Sequence, residues 1–326
     1  MPRSSSIRST RAAPWRLRTR LAALSLLLAA ASADPARAAE GATSFYLPGL
    51  GGDIALAQST EPGQLQVAKT VFFQRGEVSA AVLQGRVNAG LDLTMVLDVI
   101  SASYTLEREV LGAKYTIGGA IPFGYAELEA TVNFPILGPR TVERDDFNIA
   151  DIAVVPLELT WTFDRLSIQL AHAIYVPTGD YDEDDVVNLG LNHWGFDTGL
   201  AATYLNESTG TEFSVAPGIL ANTRNKDTRY RTGAEFHLDF TANQFLAETF
   251  AIGIRGYYYR QFTGDSGAGA QLGDFKGESV GIGPGFVWFP RFADGKLAVL
   301  GKWVHDLDAT RRFESDFGTL TVAWTF

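Results

Sequence analysis

The final nine residues of the chain, GTLTVAWTF, alternate strictly between apolar and small or polar side chains. The apolar face carries Leu320, Val322, Trp324 and Phe326. A period of two is the pattern of a β-strand with one apolar face. The same alternation recurs in HWGFDTGLAATYL, AEFHLDFTA, TFAIGIRGYYYR and ESVGIGPGFVWF, so it predicts an all-β fold.

The second face of these stretches indicates which all-β fold to expect. It carries glycine, alanine and charged residues, which suit the crowded interior of a closed barrel better than the surface of a sandwich. The polar breaks alternate between short ones, such as NESTG, and long ones, such as PILGPRTVERDD and TGDSGAGAQLG. Short turns at one end and long loops at the other are typical of bacterial outer-membrane barrels. We therefore predict a transmembrane antiparallel β-barrel of the bacterial outer membrane, with about 12 strands, over residues 66–326.

The N-terminus has the order of a secretory signal peptide. Six arginines up to Arg20 precede the uncharged run LAALSLLLAAASA, and small-residue cleavage sites follow at 31–33 and 36–38. This predicts a cleaved signal peptide over residues 1–38 and export to the outer membrane of a Gram-negative bacterium. A membrane-anchoring helix is the alternative, but the apolar run is shorter than the roughly 20 residues that span a bilayer. Residues 39–65 show little periodicity. We predict that they form an extended segment that plugs or caps the barrel lumen.

Charge and cysteine content restrict the partners. The full chain carries 27 basic and 37 acidic residues, and seven of the arginines lie in the predicted signal peptide. The mature chain is therefore strongly acidic, which argues against a nucleic-acid partner. The chain has no cysteine, so no disulfide stabilises it.

Several charged or polar side chains fall on predicted inner faces. We predict that they line the lumen and determine selectivity, and that none of them is catalytic. They are Lys114, Glu158, Asp197, Glu235, His237, Asp239, Arg255 and Lys302.

Two further motifs have both a chemical and a structural interpretation. Glu235, His237 and Asp239 are spaced at i, i+2 and i+4 and could hold a metal on one strand face, although a polar lumen wall is the favoured interpretation. The acidic run DYDEDD begins like a calcium loop, but Asp185 stands where that loop needs glycine and Leu191 where it needs glutamate. We therefore predict no metal and no cofactor.

The stretch GDSGAG resembles the surroundings of a serine-protease nucleophile. Such an enzyme also needs a histidine and an aspartate in a matching context. His193 and His237 lie upstream without one, so we predict an outer loop at Ser266. The acidic residues Asp180, Asp182 and Asp184 are placed in another outer loop.

The order of several motifs resembles a known family. They are YLPGLGGD, LDVISASYTLEREVLGAKYTIGGAIPFG, YVPTGDYD, NLGLNHWGFDTGLAATYLN, DTRYRTGAEFHLDF and GDSGAGAQLGDFKGESVGIGP. From Tyr46 to Phe326 the chain resembles the outer-membrane protein family named for the phenol meta-cleavage (MetA) degradation pathway. This resemblance implies an outer-membrane channel or transporter for uptake of small hydrophobic or aromatic compounds. The alternatives are a structural outer-membrane barrel without transport and an outer-membrane enzyme.

The expected partners follow from this interpretation. They are outer-membrane lipid and lipopolysaccharide around the barrel, and a small hydrophobic or aromatic solute inside it. A terminal aromatic residue such as Phe326 also resembles the signal that the barrel-assembly machinery recognises.

Overall fold

The computed structural model describes residues 43–51, 54–78, 89–134, 138–183, 185, 187–268, 270 and 276–326. The predicted signal peptide and the candidate loop residue Asp184 lie outside these residues. Within the described ranges, no α-helix has both the length and the apolar character needed to cross a membrane.

Strands make up most of the described chain, and one short 3-10 helix, Arg291–Ala293, interrupts them. The strands are β1 (Leu65–Val78), β2 (Ala89–Thr105), β3 (Lys114–Phe134), β4 (Gly138–Ile149), β5 (Ile152–Phe163), β6 (Leu166–Val176), β7 (Gly195–Asn206), β8 (Thr211–Asn222), β9 (Glu235–Ala247), β10 (Phe250–Gln261), β11 (Glu278–Trp288), β12 (Leu297–Thr310) and β13 (Glu314–Thr325).

Antiparallel pairing closes these strands into a barrel. Each strand from β5 to β12 pairs with the next, and β1 pairs with both β13 and β2. The ring closes because β3 pairs with β2 on one side and with β5 on the other. Twelve strands therefore form the closed wall, and this confirms the predicted fold class. A closed sheet leaves no unpaired edge, which is what a wall surrounded by lipid requires.

The thirteenth strand corrects the sequence-based prediction for PILGPRTVERDD. That stretch was expected to be a long loop, but its residues from Gly138 onward belong to β4, which pairs with Phe123–Phe134 of β3. At Ala150, whose amide donates to the Pro122 carbonyl over 2.9 Å, the chain bends from β4 into β5. Among the β4 side chains that the structure describes, those at residues 143–145 are consecutive and all exposed, so they do not alternate between a buried and an exposed face. The period-two signal is absent for that reason.

The two faces of the wall differ as the alternation predicts. In β9, Glu235, His237 and Asp239 are buried, whereas the intervening residues face outward. Outward apolar side chains such as Leu200, Phe213 and Leu320 are about half exposed. An apolar outer face is that of a barrel embedded in lipid. Lys69, which pairs with Asp98 at 2.9 Å, is a charged exception on this face.

The two ends of the barrel differ in their connections. Residues 164–165, 207–210 and 248–249 make short turns at one end, which we call the turn end. The connections 177–194, 223–234 and 262–277 are much longer and lie at the opposite end, the loop end. The connection 311–313 is short although it lies at the loop end.

Candidate functional site

Residues 43–51 and 54–64, which we call the lumen segment, contact the inner face of the wall, beginning at the loop end. The Ser44 hydroxyl donates to Glu235, the first residue of β9. The Phe45 ring stacks on Tyr175 near the end of β6, with ring centroids 4.7 Å apart. These contacts place the start of the described segment beside the long loops.

The same segment contacts the wall near the turn end further along its sequence. The amide of Ala55 donates to Glu212 over 3.2 Å, and the amide of Ala57 donates to Thr203 over 2.9 Å. Glu61 then pairs with Lys114 at the start of β3, at 2.9 Å. The segment therefore runs along the lumen from the loop end to the turn end before β1 begins. The proposed division at residues 38 and 65 remains a prediction.

Four of the predicted lumen residues come together in the loop half of the barrel. His237 Nε2 lies 3.1 Å from both carboxylate oxygens of Asp197, and His237 Nδ1 lies 3.9 Å from Asp239. Glu235 lies on the same face of β9 and is fully buried. Gly218 makes room for the imidazole, because a Cβ there would lie 2.3 Å from His237 Cε1. Three carboxylates thus surround one imidazole.

The lumen segment covers this acidic group. The Tyr46 hydroxyl donates to Asp239 over 3.0 Å, and its ring stacks on His237 with centroids 4.4 Å apart. Tyr46 is itself buried. The segment and the wall therefore share one packed interior in the loop half, and the acidic side chains do not face an open pore in this conformation.

Arg255 and Lys302 lie on the inner face closer to the turn end. Arg255 donates to Asn243 Oδ1 over 2.5 Å, and Asn243 donates in turn to the buried carboxylate of Glu212. Lys302 donates to the Leu50 carbonyl over 3.4 Å. Because an isolated buried charge costs several kcal/mol, Asn243 stabilises the interior by bridging two charges of opposite sign.

Two predicted lumen residues lie apart from these groups. Lys114 is at the turn end, paired with Glu61. Glu158 lies on the inner face of β5, where it is aligned with Thr116 of β3 and Ala171 of β6. The structure therefore does not bring all eight predicted residues into a single site.

The predicted outer-loop residues lie in two different loops. Asp180 accepts from Asn148 over 2.5 Å, and the Asp182 amide donates to Asn188 over 2.8 Å. The backbone of Ser266 pairs with that of Arg231 in both directions, at 2.8 and 2.9 Å. Among the described residues, no three histidine, aspartate or glutamate side chains are arranged to hold a metal ion.

Asp265 gives the GDSGAG stretch a structural role. Its carboxylate accepts from the Tyr230 hydroxyl, from the Gly233 amide over 3.0 Å and from Gln261 over 2.6 Å. Gly267 has φ of +98°, and a Cβ there would lie 2.2 Å from the Arg229 carbonyl oxygen. The motif joins the 223–234 and 262–277 connections at the loop end. The contacts of Asp265 and Gly267 with the first of these connections explain why an aspartate and a glycine occupy these positions.

Three important interior residues were missed by the sequence-based reasoning. Glu212 is fully buried and accepts from Ser214, Thr241 and Asn243 as well as from the lumen segment. Tyr46 lies in the stretch without periodicity. The guanidinium of Arg312, from the 311–313 connection, lies 3.8 Å from the centre of the Tyr259 ring. Of these three, only Glu212 could have been assigned to the inner face from the sequence, because Glu212 and Ser214 alternate with Phe213 and Val215 in TEFSV.

Comparison with known proteins identifies the family. A sequence profile of the family described as "Putative MetA-pathway of phenol degradation" matches residues 62–322. The chain belongs to this family. The family resemblance expected from the motif order is thereby confirmed. No curated protein matches the chain.

Solved structures show what fold this phenol-degradation family member has. It is similar to an outer-membrane channel from Pseudomonas putida F1, with a TM-score of 0.66 and 15% identity over 86% of this chain and 100% of that one. The translocator domain of the autotransporter NalP from Neisseria meningitidis gives a TM-score of 0.41 at 9% identity, covering 83% and 91%. A FadL homologue from Pseudomonas aeruginosa gives 0.35 at 10% identity, covering 81% and 89%. The first of these similarities shows an outer-membrane β-barrel fold.

Proposed function

We propose that the protein is an outer-membrane channel that admits small hydrophobic or aromatic compounds. One observation carries the proposal: the lumen of the barrel is lined by aromatic and polar side chains and is threaded by the chain's own N-terminal segment. An eight-stranded barrel is filled by side chains, and one of sixteen strands or more holds an aqueous pore. Twelve strands leave an intermediate width that one extended segment can narrow.

The interior favours aromatic over strongly hydrophilic solutes. Its buried cluster includes Phe72, Leu97, Tyr257, Tyr259 and Phe317 from the wall. Phe72 and Phe317 stack with centroids 6.0 Å apart. Offset stacking on such rings favours a flat apolar solute, and the polar groups between the rings orient its polar end.

The anchoring of the lumen segment supports a gating role. Near the turn end, Ala55, Leu56 and Ala57 donate their backbone amides to wall side chains. In the loop half, Ser44 and Tyr46 bind the wall through their side chains. The Leu50 carbonyl accepts from Lys302 further toward the turn end. We infer that the loop half of the segment moves aside for a solute while the turn half stays anchored.

The wider cellular setting belongs to the same proposal. The signal peptide over residues 1–38 directs export of the chain and is then cleaved, and the barrel-assembly machinery inserts the chain by recognising Phe326. The aromatic side chain of Phe326 is well exposed beside Trp324, with ring centroids 6.3 Å apart. Lipid and lipopolysaccharide then cover the apolar outer face.

Uptake by cells tests the proposed function. A strain without the gene should take up a radiolabelled small aromatic compound more slowly than its parent at low external concentration. At high concentration the difference should shrink, because passive diffusion then supplies the cell. Expression of the full chain from a plasmid should restore the parental rate. Equal uptake by the two strains at low concentration would leave a structural barrel as the better account.

Ion selectivity should depend on the carboxylates of the loop half. Because Ser44 and Tyr46 cover Glu235 and Asp239, the measurement uses the protein lacking residues 41–60. Glu235→Gln with Asp239→Asn should shift the reversal potential under a salt gradient away from cation preference, since two lumen charges are lost.

The control for this measurement removes the same charge elsewhere. Asp164→Asn with Glu207→Gln changes two exposed residues of the short turns, and its reversal potential should match that of the parent. If the lumen double variant also matches the parent, these two carboxylates do not line the ion path.

A further inference from the structure

We propose that the slot filled by the Tyr46 ring is a binding site for phenols, and that Tyr46 is a built-in ligand which a phenolic solute displaces. The side chain of tyrosine is itself a phenol substituted opposite its hydroxyl. The inference rests on the proposed function for its biological use, but the binding site can be tested separately.

The slot has the geometry of a recognition site for a hydroxylated ring. The Tyr46 ring lies nearly parallel to the His237 imidazole, with an interplanar angle of 18°. It also lies parallel to the Tyr259 ring, with an angle of 6° and centroids 5.9 Å apart. At the hydroxyl, the carboxylate of Asp239 accepts a hydrogen bond over 3.0 Å. A flat ring is thus stacked against two others and oriented by one acceptor.

The wall holds this slot through contacts that do not involve Tyr46. His237 is fixed by the Asp197 carboxylate at 3.1 Å. The Tyr259 hydroxyl donates to Glu235 over 2.8 Å, and the Arg312 guanidinium lies 3.8 Å from its ring centre. The slot therefore keeps its shape when Tyr46 leaves, and a preorganised site loses little affinity to ordering.

The chain around Tyr46 is suited to displacement. Tyr46 precedes LPGLGG, in which Gly49 has φ of +66°. Glycine gives the backbone of this stretch freedom to move. Side-chain hydrogen bonds from Ser44 to Glu235 and from Tyr46 to Asp239 hold this stretch against the wall. A solute hydroxyl at Asp239 can replace the bond from Tyr46.

The charges around the slot select for a hydrogen-bond donor. Asp197, Glu235 and Asp239 approach it from β7 and β9, and His237 is the imidazole among them. These three carboxylates outnumber the two nearby cations, Arg312 and Lys302, and therefore repel an aromatic carboxylate. A ring without a hydroxyl leaves the buried Asp239 without its donor, and sites that hydrogen-bond a substrate hydroxyl discriminate strongly against such analogues. We therefore expect neutral phenols to bind best.

Fluorine NMR of 4-fluorophenol with the mature protein in detergent micelles tests the site. Tyr46→Ala removes the built-in ligand and should strengthen binding of the probe by about tenfold, the effect of one good hydrogen bond and its stacking. Tyr46→Ala with Asp239→Asn should lose most of that gain. The gain should be much smaller for 4-fluorotoluene and absent for 4-fluorobenzoate.

Two further variants keep the test decisive. Tyr204 lies on the outer face and is partly exposed. The Tyr204→Ala variant should therefore bind the probe as the parent does. Tyr46→Phe keeps the ring and loses the hydroxyl, so its affinity for 4-fluorophenol should lie between those of the parent and Tyr46→Ala. This variant replaces Tyr46→Ala in the test if Tyr46→Ala does not fold. Equal binding by the parent and both Tyr46 variants, or an equal gain for 4-fluorotoluene, would overturn the proposal.

Different results would contradict the proposed binding site and the proposed transport function. If Tyr46→Ala binds 4-fluorophenol as expected but the strain without the gene shows normal uptake, the binding site stands and the transport function is wrong. If uptake depends on the gene but no variant binds the probe selectively, transport stands and the slot is not a phenol site.

Discussion

Deleting residues 41–60 should raise the single-channel conductance of the protein in planar bilayers several-fold. The deletion removes the part of the lumen segment that contacts Glu235, Asp239, Glu212 and Thr203, and it leaves every strand of the wall intact. A twelve-stranded barrel without its segment is wider than the eight-stranded barrels that side chains fill. The expected product is a stable, water-filled pore in place of a narrow one.

The missing segment itself supplies the control for this prediction. A synthetic peptide with the sequence GATSFYLPGLGGDIALAQST, added to the deleted protein, should lower the conductance again. A scrambled peptide of the same composition should not. Unchanged conductance after the deletion would mean that the segment does not obstruct the ion path.

The sequence predicted the wall of the barrel well because alternation is a local signal. In β9 and β7, one face must meet lipid and the other the lumen, so each side chain reports its own direction. For that reason, the buried positions of Glu235, His237 and Asp239 could be predicted from the sequence. In β4, several consecutive residues are exposed, and the same signal is therefore missing from a true strand.

The contacts of the lumen segment could not be predicted from the sequence. The segment has no regular secondary structure, so nothing periodic indicates which wall residue each of its side chains contacts. The hydrogen bond from Tyr46 to Asp239 joins residues that are 193 positions apart. Such a contact is set by the closure of the whole barrel. Likewise, Arg312 comes from a loop, and only the fold places it over Tyr259.

Locking the lumen segment to the wall should abolish uptake. Phe45 and Gly195 are suitable positions, because a Cβ added at Gly195 would lie 2.5 Å from Cδ2 of the Phe45 ring. The two Cβ atoms of a cysteine pair would then be about 5 Å apart at most, near the range of a disulfide. The natural chain has no cysteine, so no other thiol competes. Phe45→Cys with Gly195→Cys should therefore form one defined cross-link.

Uptake of radiolabelled phenol by cells carrying this double variant, measured with and without a reductant, tests whether the lumen segment must move during transport. Phe45→Cys alone is the control and should be insensitive to the reductant. If the segment must move for a solute to pass, the oxidised double variant should take up phenol no faster than the strain without the gene, and reduction should restore uptake. Equal uptake by the oxidised and reduced double variant, with the disulfide verified by mass spectrometry, would contradict the account.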